Sequence, residues 1–439
     1  MTTVPMQTQA SPITRRERWA WYLYDFGNSA YAAVVLLAVY SAYFQGSVVG
    51  GAEGSRLWGL AVGIAMLVVA ITSPILGTIA DFSGSKKKFL LFYTAMACLF
   101  TAGLFFATPG NVAIGMGFFI LAEIGYRSAQ VFYNALLPEI AEPHEMGRIS
   151  GNGWAIGTLG GILCLIIILP LIVLIGGDLI IRTTLVITAV FFTLSAIPIF
   201  LWLPERAEPK PLPPGENFFG YAFKQLRQTI KTASQFKEFL KFMAAFLVFN
   251  DGVIMALDFA AIIGAVLYGM DQTQLIIFVI IVQVSNVAGA YAFGYWVDKL
   301  GGKRSLALSI LVMIAAIIWL YFNATINGFF LVGILAGFAM AGIQSVSRTM
   351  VSFFAPPGRS AEFYGFFAVA GRTSSFIGPT VYGLLAAEAA LWYQAQGETA
   401  VTAEQLGQKI AILSIGAFLL VGLLLLSFVN EKKARSFER

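Results

Sequence analysis

The chain has 439 residues, of which 58% are hydrophobic, 14% aromatic and only 12% charged, with 28 Lys and Arg against 23 Asp and Glu. An ordinary soluble domain carries about 25% charged residues, so the composition excludes one and points to a chain solvated by lipid. Two cysteines and one histidine exclude a disulfide framework or a metal cluster.

A bilayer-spanning helix needs about 20 mostly apolar residues. Twelve such runs follow one another: 19–44, 57–79, 89–107, 112–137, 149–175 and 179–203, then, after a polar gap, 240–268, 274–296, 305–322, 328–354, 363–391 and 410–428. The expected fold is therefore an all-α integral membrane protein with twelve transmembrane helices in two six-helix bundles. Residues 1–203 form the N-terminal bundle, 204–239 a cytoplasmic linker, and 240–439 the C-terminal bundle with a basic tail. In the linker, Pro209, Pro211, Pro213 and Pro214 make a stiff spacer. After them Phe219, Phe223, Leu226, Ile230 and Ala233 recur at helical spacing with Lys224, Arg227 and Lys231 between them, the pattern of an interfacial helix on an anionic leaflet or, alternatively, of a solvated linker helix. Cys98 and Cys164 fall inside helices as inert thiols, and His144 falls in a surface loop.

Basic loops are retained on the cytoplasmic side. With the N-terminus inside, 22 of the 28 Lys and Arg are cytoplasmic; Arg56, Arg182 and Lys409 are outside, and Arg127, Arg348 and Arg372 are within the membrane. Both termini are then cytoplasmic, and the net charge of +5 reflects topology and not nucleic-acid binding. The first run is too long, and lacks a small-residue cleavage site, to be a signal peptide.

The halves repeat. Gly77, Asp81, Gly84 and Lys86 recur as Gly294, Asp298, Gly301 and Lys303 at a constant offset of 217, and Gln130, Gly151 and Gly157 recur as Gln344, Gly365 and Gly371 at 214. This is the signature of a duplicated unit. Each cassette lies on the short turn after the second or eighth helix, where glycine permits tight bending. Asp81 is expected to face the start of helix eleven near Phe363, and Asp298 the start of helix five near Arg148, each accepting from a helix N-terminus whose dipole favours an anion. Gly77, Asp81, Gly84, Lys86, Arg148, Gly294, Asp298, Gly301, Lys303 and Arg372 form the expected inner gate. A purely topogenic role for the basic residues is the alternative.

The cassette resembles the loop signature of the major facilitator superfamily, and Arg127-x-x-Gln130 its second motif, with Val131 where Gly is usual. Tyr24-Asp25-Phe26-Gly27-Asn28-Ser29-Ala30-Tyr31, Asn250-Asp251-Gly252-Val253, Gln344-Ser345-Val346-Ser347-Arg348, and the stretch from Gly365 to Gly383 with Gly378-Pro379 are similar to the vacuole-effluxer-like branch. The resemblance runs from about residue 18 to 428. It implies two bundles related by an axis along the membrane normal, with helices one, four, seven and ten lining a central cavity. Fungal members of the branch are associated with release of amino acids after autophagy. A prokaryotic-type member implies the inner (cell) membrane.

A charge at mid-bilayer costs about 2.5 to 3.5 kcal/mol on insertion scales, so intramembrane ions face a cavity or a partner. Glu123, Arg127, Gln130 and Asn134 lie at i, i+4, i+7 and i+11 on one stripe of helix four, where Glu123 and Arg127 can pair. Arg127 is expected to bind a substrate carboxylate or to release Glu123 for protonation during the cycle, the alternative being a static ion pair that only locks helix packing. Asp25 and Asn28 share a face of helix one; Asn250 and Asp251 lie near the midplane of helix seven. A buried carboxylate without full counter-charge is suited to carrying a proton, which favours Asp251 and Asp25 over Asp258, for which partial exposure near the outer mouth is the alternative. The expected substrate-binding residues are Asn28, Arg127, Gln130, Asn134, Asn250, Gln344 and Arg348; the expected proton-coupling residues are Asp25, Glu123, Asp251 and Asp258. Glycines on helices five and eleven are expected where the bundles slide, and Pro379 is expected to kink helix eleven.

The expected function is a secondary active transporter working by rocking-bundle alternating access, proton-coupled, for a small zwitterionic or neutral metabolite such as an amino acid. Its partners are the small-molecule substrate, protons and the lipid bilayer; no cofactor, metal or nucleic acid is expected, and the chain is expected to act as a monomer. An exporter of hydrophobic drugs or lipids, and a non-transporting receptor or assembly factor, are the alternatives. An intramembrane enzyme would need a nucleophile and base in the bilayer, and ATP-driven transport a phosphate-binding loop; the sequence carries neither.

Overall fold

In the computed structural model, residues 13–141, 145–206, 220, 224, 236–354, 363, 366–367, 371 and 376–431 are described. The first span, α1, opens as Arg15–Tyr31, capped by Thr14 and Glu17 in a reciprocal capping box. It continues through π-helical turns at Ala32–Ala38 and Phe44–Val49. Then come α2 (Gly51–Ser83), α3 (Lys86–Gly103), α4 (Val112–Ala135), α5 (Met146–Leu174) and α6 (Asp178–Trp202). The second half comprises α7 (Lys237–Asp258), continued after Phe259 by Ala260–Tyr268, α8 (Gln272–Leu300), α9 (Gly302–Phe322), α10 (Ile326–Phe354), α11 (Ile377–Ala395) and α12 (Ala400–Ser427). Eleven helices among the described residues are long and apolar enough to cross a membrane. In the remaining run, 363–391, the described residues 363, 366–367 and 371 are helical and a continuous helix starts at Ile377 after a turn at Phe376, so Pro379 falls in its first turn, where a missing N–H breaks no helical bond.

The outer faces read as a protein turned toward hydrocarbon. Leu99 on α3, Leu194 and Leu201 on α6 and Leu424 on α12 are all more than half exposed, an arrangement that water would penalise and lipid does not. Within the first bundle, α1 packs on α5 and α6, and α3 on α4; within the second, α7 packs on α12, and α10 on α8 and α9. The two bundles meet chiefly through α2 against α11.

Both cassette turns form as expected around left-handed or extended glycine: Gly84 (φ 57°) ends α2 and Gly301 (φ 83°) ends α8. What the lysines do differs from the expected gate. Lys303 Nζ donates to the carbonyls of Ser427 and Val429 at 2.7 Å each, at the end of α12, while Glu431 accepts from the backbone amides of Gly302 and Lys303. The first bundle repeats the clamp through Lys87, whose ammonium donates to the carbonyls of Phe200 and Leu203 and whose amide donates to Glu205. Lys86 instead pairs with Glu139 at 3.1 Å. Each lysine thus ties helices of its own bundle, a task that suits an ammonium whose three N–H donors can meet several of the unpaired carbonyls at a neighbouring helix end.

The inter-bundle contact is one-sided. On the side away from the termini, Gln45 donates to Glu404, Gln408 to Ser55, Gln272 to the carbonyl of Ala38, and Trp58 to the carbonyl of Asp258. Here a Cβ on Gly59 would stand 2.3 Å from the Pro379 carbonyl, and one on Gly63 2.1 Å from Thr380. Toward the termini, Gly77 and Gly294 have nothing within 4 Å. Asp298 is exposed, with no hydrogen bond or ion pair among the described residues. The molecule is closed on the side away from the termini (the outer side) and, among the described residues, open on the side of the termini (the inner side). The side chains of Asp81 and Arg148, the whole of Arg372 and His144, and residues 225–235 of the linker lie outside the described residues.

Candidate functional site

Two matching hydrogen bonds join α1 to α4 and α7 to α10. In the first bundle, Gln130 Nε2 on α4 donates to Asn28 Oδ1 on α1 at 3.0 Å. In the second, Gln344 Nε2 on α10 donates to Asn250 Oδ1 on α7 at 3.2 Å, and Asn250 Nδ2 donates to the Gly371 carbonyl at 3.4 Å. The glutamines are related by the 214-residue offset and the asparagines by 250 − 28 = 222. An amide pair satisfies one donor and one acceptor while leaving others for a guest; Asn28 Nδ2 is buried with no partner. Duplication therefore built the same amide pair into each wall.

The charges break that symmetry. Arg127 Nε donates to Glu123 Oε1 at 2.6 Å, and the Glu123 side chain is fully buried. The guanidinium also lies over the Tyr126 ring, which stacks on Tyr31 at 4.4 Å. Glu123 Oε2 and the Tyr31 hydroxyl are buried without a hydrogen bond. Across the bundle boundary, Asp258 is within electrostatic reach of both Arg127 and Glu123, and its Oδ2 too lacks a partner. One guanidinium thus faces two carboxylates directly beneath the closed outer side. Asp258 lies at the outer closure but is only 3% exposed, so the partial exposure considered for it is not found.

Asp251 is 2% exposed, and the backbone of Gly378, in the first turn of α11, faces its carboxyl. A helix N-terminus stabilises an anion there, yet Asp251 Oδ1 remains buried and unpartnered. Gly378 is required for this approach, since a Cβ would come within 3.0 Å of the Asp251 carbonyl. Lower in the cavity, Asp25 lies against α5, where a Cβ on Gly157 would meet its Oδ2 at 2.7 Å, and the charge of Arg348 reaches it from α10. Arg348 is exposed with its guanidinium 5.3 Å from the Trp154 ring of α5.

Of the expected site residues, the structure brings together Asn28 with Gln130, Asn250 with Gln344, and Glu123 with Arg127 and Asp258. Asn134 is exposed with no side-chain hydrogen bond, one helical turn closer to the inner side. Of the α5 glycines, Gly153, Gly157, Gly160 and Gly161 pack on α1 of their own bundle, Gly153 on Trp21 and Gly160 on the Phe26 carbonyl, which corrects their expected place at a sliding surface, while Gly151 has nothing within 4 Å. Of the glycines expected there on helix eleven, Gly371 packs on Phe246 and Gly378 on Met255 and Asp251 of the same bundle and Gly365 lies outside the described residues; the close approach across the bundles is made by Gly383, to Ser55 and Gly59. Trp58, Tyr31, Trp154 and the Glu205 and Glu431 clamps were not singled out from the sequence. The last two had a signal, an acidic-basic pair just after each sixth helix, Glu205-Arg206 and Glu431-Lys432.

Residues 58–437 match the family described as vacuole effluxer Atg22 like. The chain is 28% identical over 432 residues to the MFS-type transporter YxiO of Bacillus subtilis (strain 168), covering 96% of each chain. It is 25% identical over 420 residues to autophagy-related protein 22 of Yarrowia lipolytica, covering 75% of this chain and 70% of that one. In fold it is similar to a bacterial homologue of the human lysosomal transporter Spinster, crystallised inward-facing and unoccupied, with a TM-score of 0.70, 13% identity and 98% coverage of both chains.

Proposed function

The chain belongs to the vacuole effluxer Atg22-like family of major facilitator transporters, and from that premise we propose that it moves an amino acid or similar small zwitterion by rocking-bundle alternating access coupled to protons. It acts as a monomer in a prokaryotic inner membrane with both termini in the cytoplasm. The observation that carries this reading is the gathering of opposite charges in the buried interior, the Arg127–Glu123 ion pair with Asp258 within electrostatic reach beneath the outer closure. A zwitterion supplies both a carboxylate for Arg127 and an ammonium for a carboxylate, so it compensates the buried charges as it binds. The amides of Asn28, Gln130, Asn250 and Gln344 orient it from both walls, which gives each bundle a reason to close on it.

Asp251 is the proposed proton carrier. Its carboxyl has one oxygen toward a helix start and one with no donor, so a proton can be gained or lost there without breaking an ion pair. Asp25, near Arg348 at the open side, is the proposed second group. In proteoliposomes, Asp251→Asn should abolish uptake driven by a pH gradient and retain part of the exchange of bound amino acid. Gradient-driven flux equal to wild type removes Asp251 from this role, and absence of binding across a panel of amino acids removes the cargo class.

A further inference from the structure

A second cavity lies outside the central site. It has a volume of about 310 Å³ and sits between the inner ends of α1 and α5, lined by Arg15, Arg18, Trp19, Tyr22, Asn152 and Ile156 among others. Arg18 is committed: its guanidinium pairs with Glu145 at 2.6 Å and donates to the Ile140 carbonyl. Arg15 is exposed and has no hydrogen bond or ion pair among the described residues. Trp19 is 42% exposed and meets Tyr22 edge-on at 5.8 Å. On α5 the lining face, Asn152 and Ile156, continues one and two turns on into Leu159 and Leu163, both exposed on the apolar flank. The cavity therefore opens along a lipid-facing stripe.

The features coincide in depth. Trp and Tyr rings concentrate at headgroup level, and basic residues at the inner surface meet anionic lipid. Here an uncommitted guanidinium, an amide and two interfacial aromatics share one cavity, at the end of the chain where the basic residues place the cytoplasmic leaflet. We propose that this cavity binds the phosphate of an anionic glycerophospholipid from the inner leaflet, with Arg15 on the phosphate, Asn152 on the headgroup or ester oxygens, and the acyl chains along Leu159 and Leu163. Because α5 carries Gly157 against Asp25 and Trp154 against Arg348, a lipid seated there touches the helix that borders the central site.

The test titrates the purified, delipidated transporter in detergent with brominated-chain phosphatidylglycerol, brominated phosphatidylcholine or inorganic phosphate, and reads tryptophan quenching. Phosphatidylglycerol should quench a component that Trp19→Phe removes, and phosphatidylcholine should not. Arg15→Gln should weaken the phosphatidylglycerol response about fivefold, the effect of one interfacial basic residue. Asn152→Phe, which fills the cavity without adding an indole, should abolish it while the protein remains monodisperse. Equal quenching by both lipids, or an Arg15→Gln response equal to wild type, overturns the proposal. Displacement by millimolar inorganic phosphate overturns the lipid assignment and makes the cavity a free-anion site.

Discussion

Helix α2 meets two different surroundings along its length. Its outer half carries Gly59 and Gly63 jammed against Pro379 and Thr380 of α11, while its inner half carries Gly77 facing open space. The C-terminal bundle has the same contrast, Gly383 tight against Ser55 and Gly59 and Gly294 open. A small residue conserves the option of close helix approach whether or not the approach is made in a given state. The glycines of the outer half are thus in use here, and those of the inner half are placed for a closure this conformation has not made. Meanwhile the inner ends of each bundle are tied internally by the Lys87 and Lys303 clamps, so an inner opening does not loosen either bundle.

The contrast is broken most strongly by filling either end. Gly59→Val forces a side chain into the Pro379 carbonyl and should disfavour the outer-closed form by about 1 to 3 kcal/mol, a population shift of about 5- to 150-fold. Gly77→Val should leave the inward-facing form intact and block the opposite one. Both should lose transport in proteoliposomes, with cysteine accessibility raised outside for Gly59→Val and raised inside for Gly77→Val. Full activity of Gly77→Val would mean that the inner half of α2 is no closing face.

The two cavity arginines sharpen the same comparison. Arg127, beneath the closed side, is paired with the fully buried Glu123, whereas Arg348, at the open side, is exposed over Trp154. Arg127→Ala strands a buried carboxylate and should cost about 3 to 5 kcal/mol. Arg348→Ala removes an exposed guanidinium and should cost less, its cation–π contact with Trp154 contributing about 0.5 to 1 kcal/mol. Thermal unfolding in one detergent checks the pair; equal shifts would contradict the difference in burial.

Helical spans and the duplication were legible because lipid demands about 20 apolar residues and because the repeat keeps its offset. The i, i+4 spacing of Glu123 and Arg127 also fixed their pairing, since neighbours on one helix need no tertiary information. The Asn28–Gln130 and Asn250–Gln344 bonds were legible only as a set of polar positions, because which residue meets which depends on how α1 turns against α4. The clamps were misread for a related reason. The cassette was aligned on Lys86 and Lys303, but the side chain that performs the Lys303 task in the first bundle is Lys87, one residue and 100° further round the helix. An offset in sequence preserves positions, not the rotation of a helix whose start has slipped.

That slip has a measurable consequence in the first bundle. Burial against the ends of α3 and α6 pushes the Glu205 carboxyl above the usual carboxylate range, although the Lys87 amide at 3.3 Å opposes the shift. A carboxyl whose folded value lies above its unfolded value, about 4.3, adds stability that is full below the unfolded value and is lost as pH rises through the folded one. Charged Glu205 is therefore a small burden near neutrality, tolerated because it accepts the amide of Lys87. Glu205→Gln keeps an acceptor oxygen and removes the charge, so its melting temperature should exceed that of wild type slightly near pH 7, by an amount corresponding to about 0.5 kcal/mol or less, with the gap closing as the pH falls toward 4. A variant less stable than wild type at neutral pH, or a gap that widens on acidification, would show that Glu205 works as a charged partner of Lys87, whose ammonium is instead directed to the carbonyls of Phe200 and Leu203.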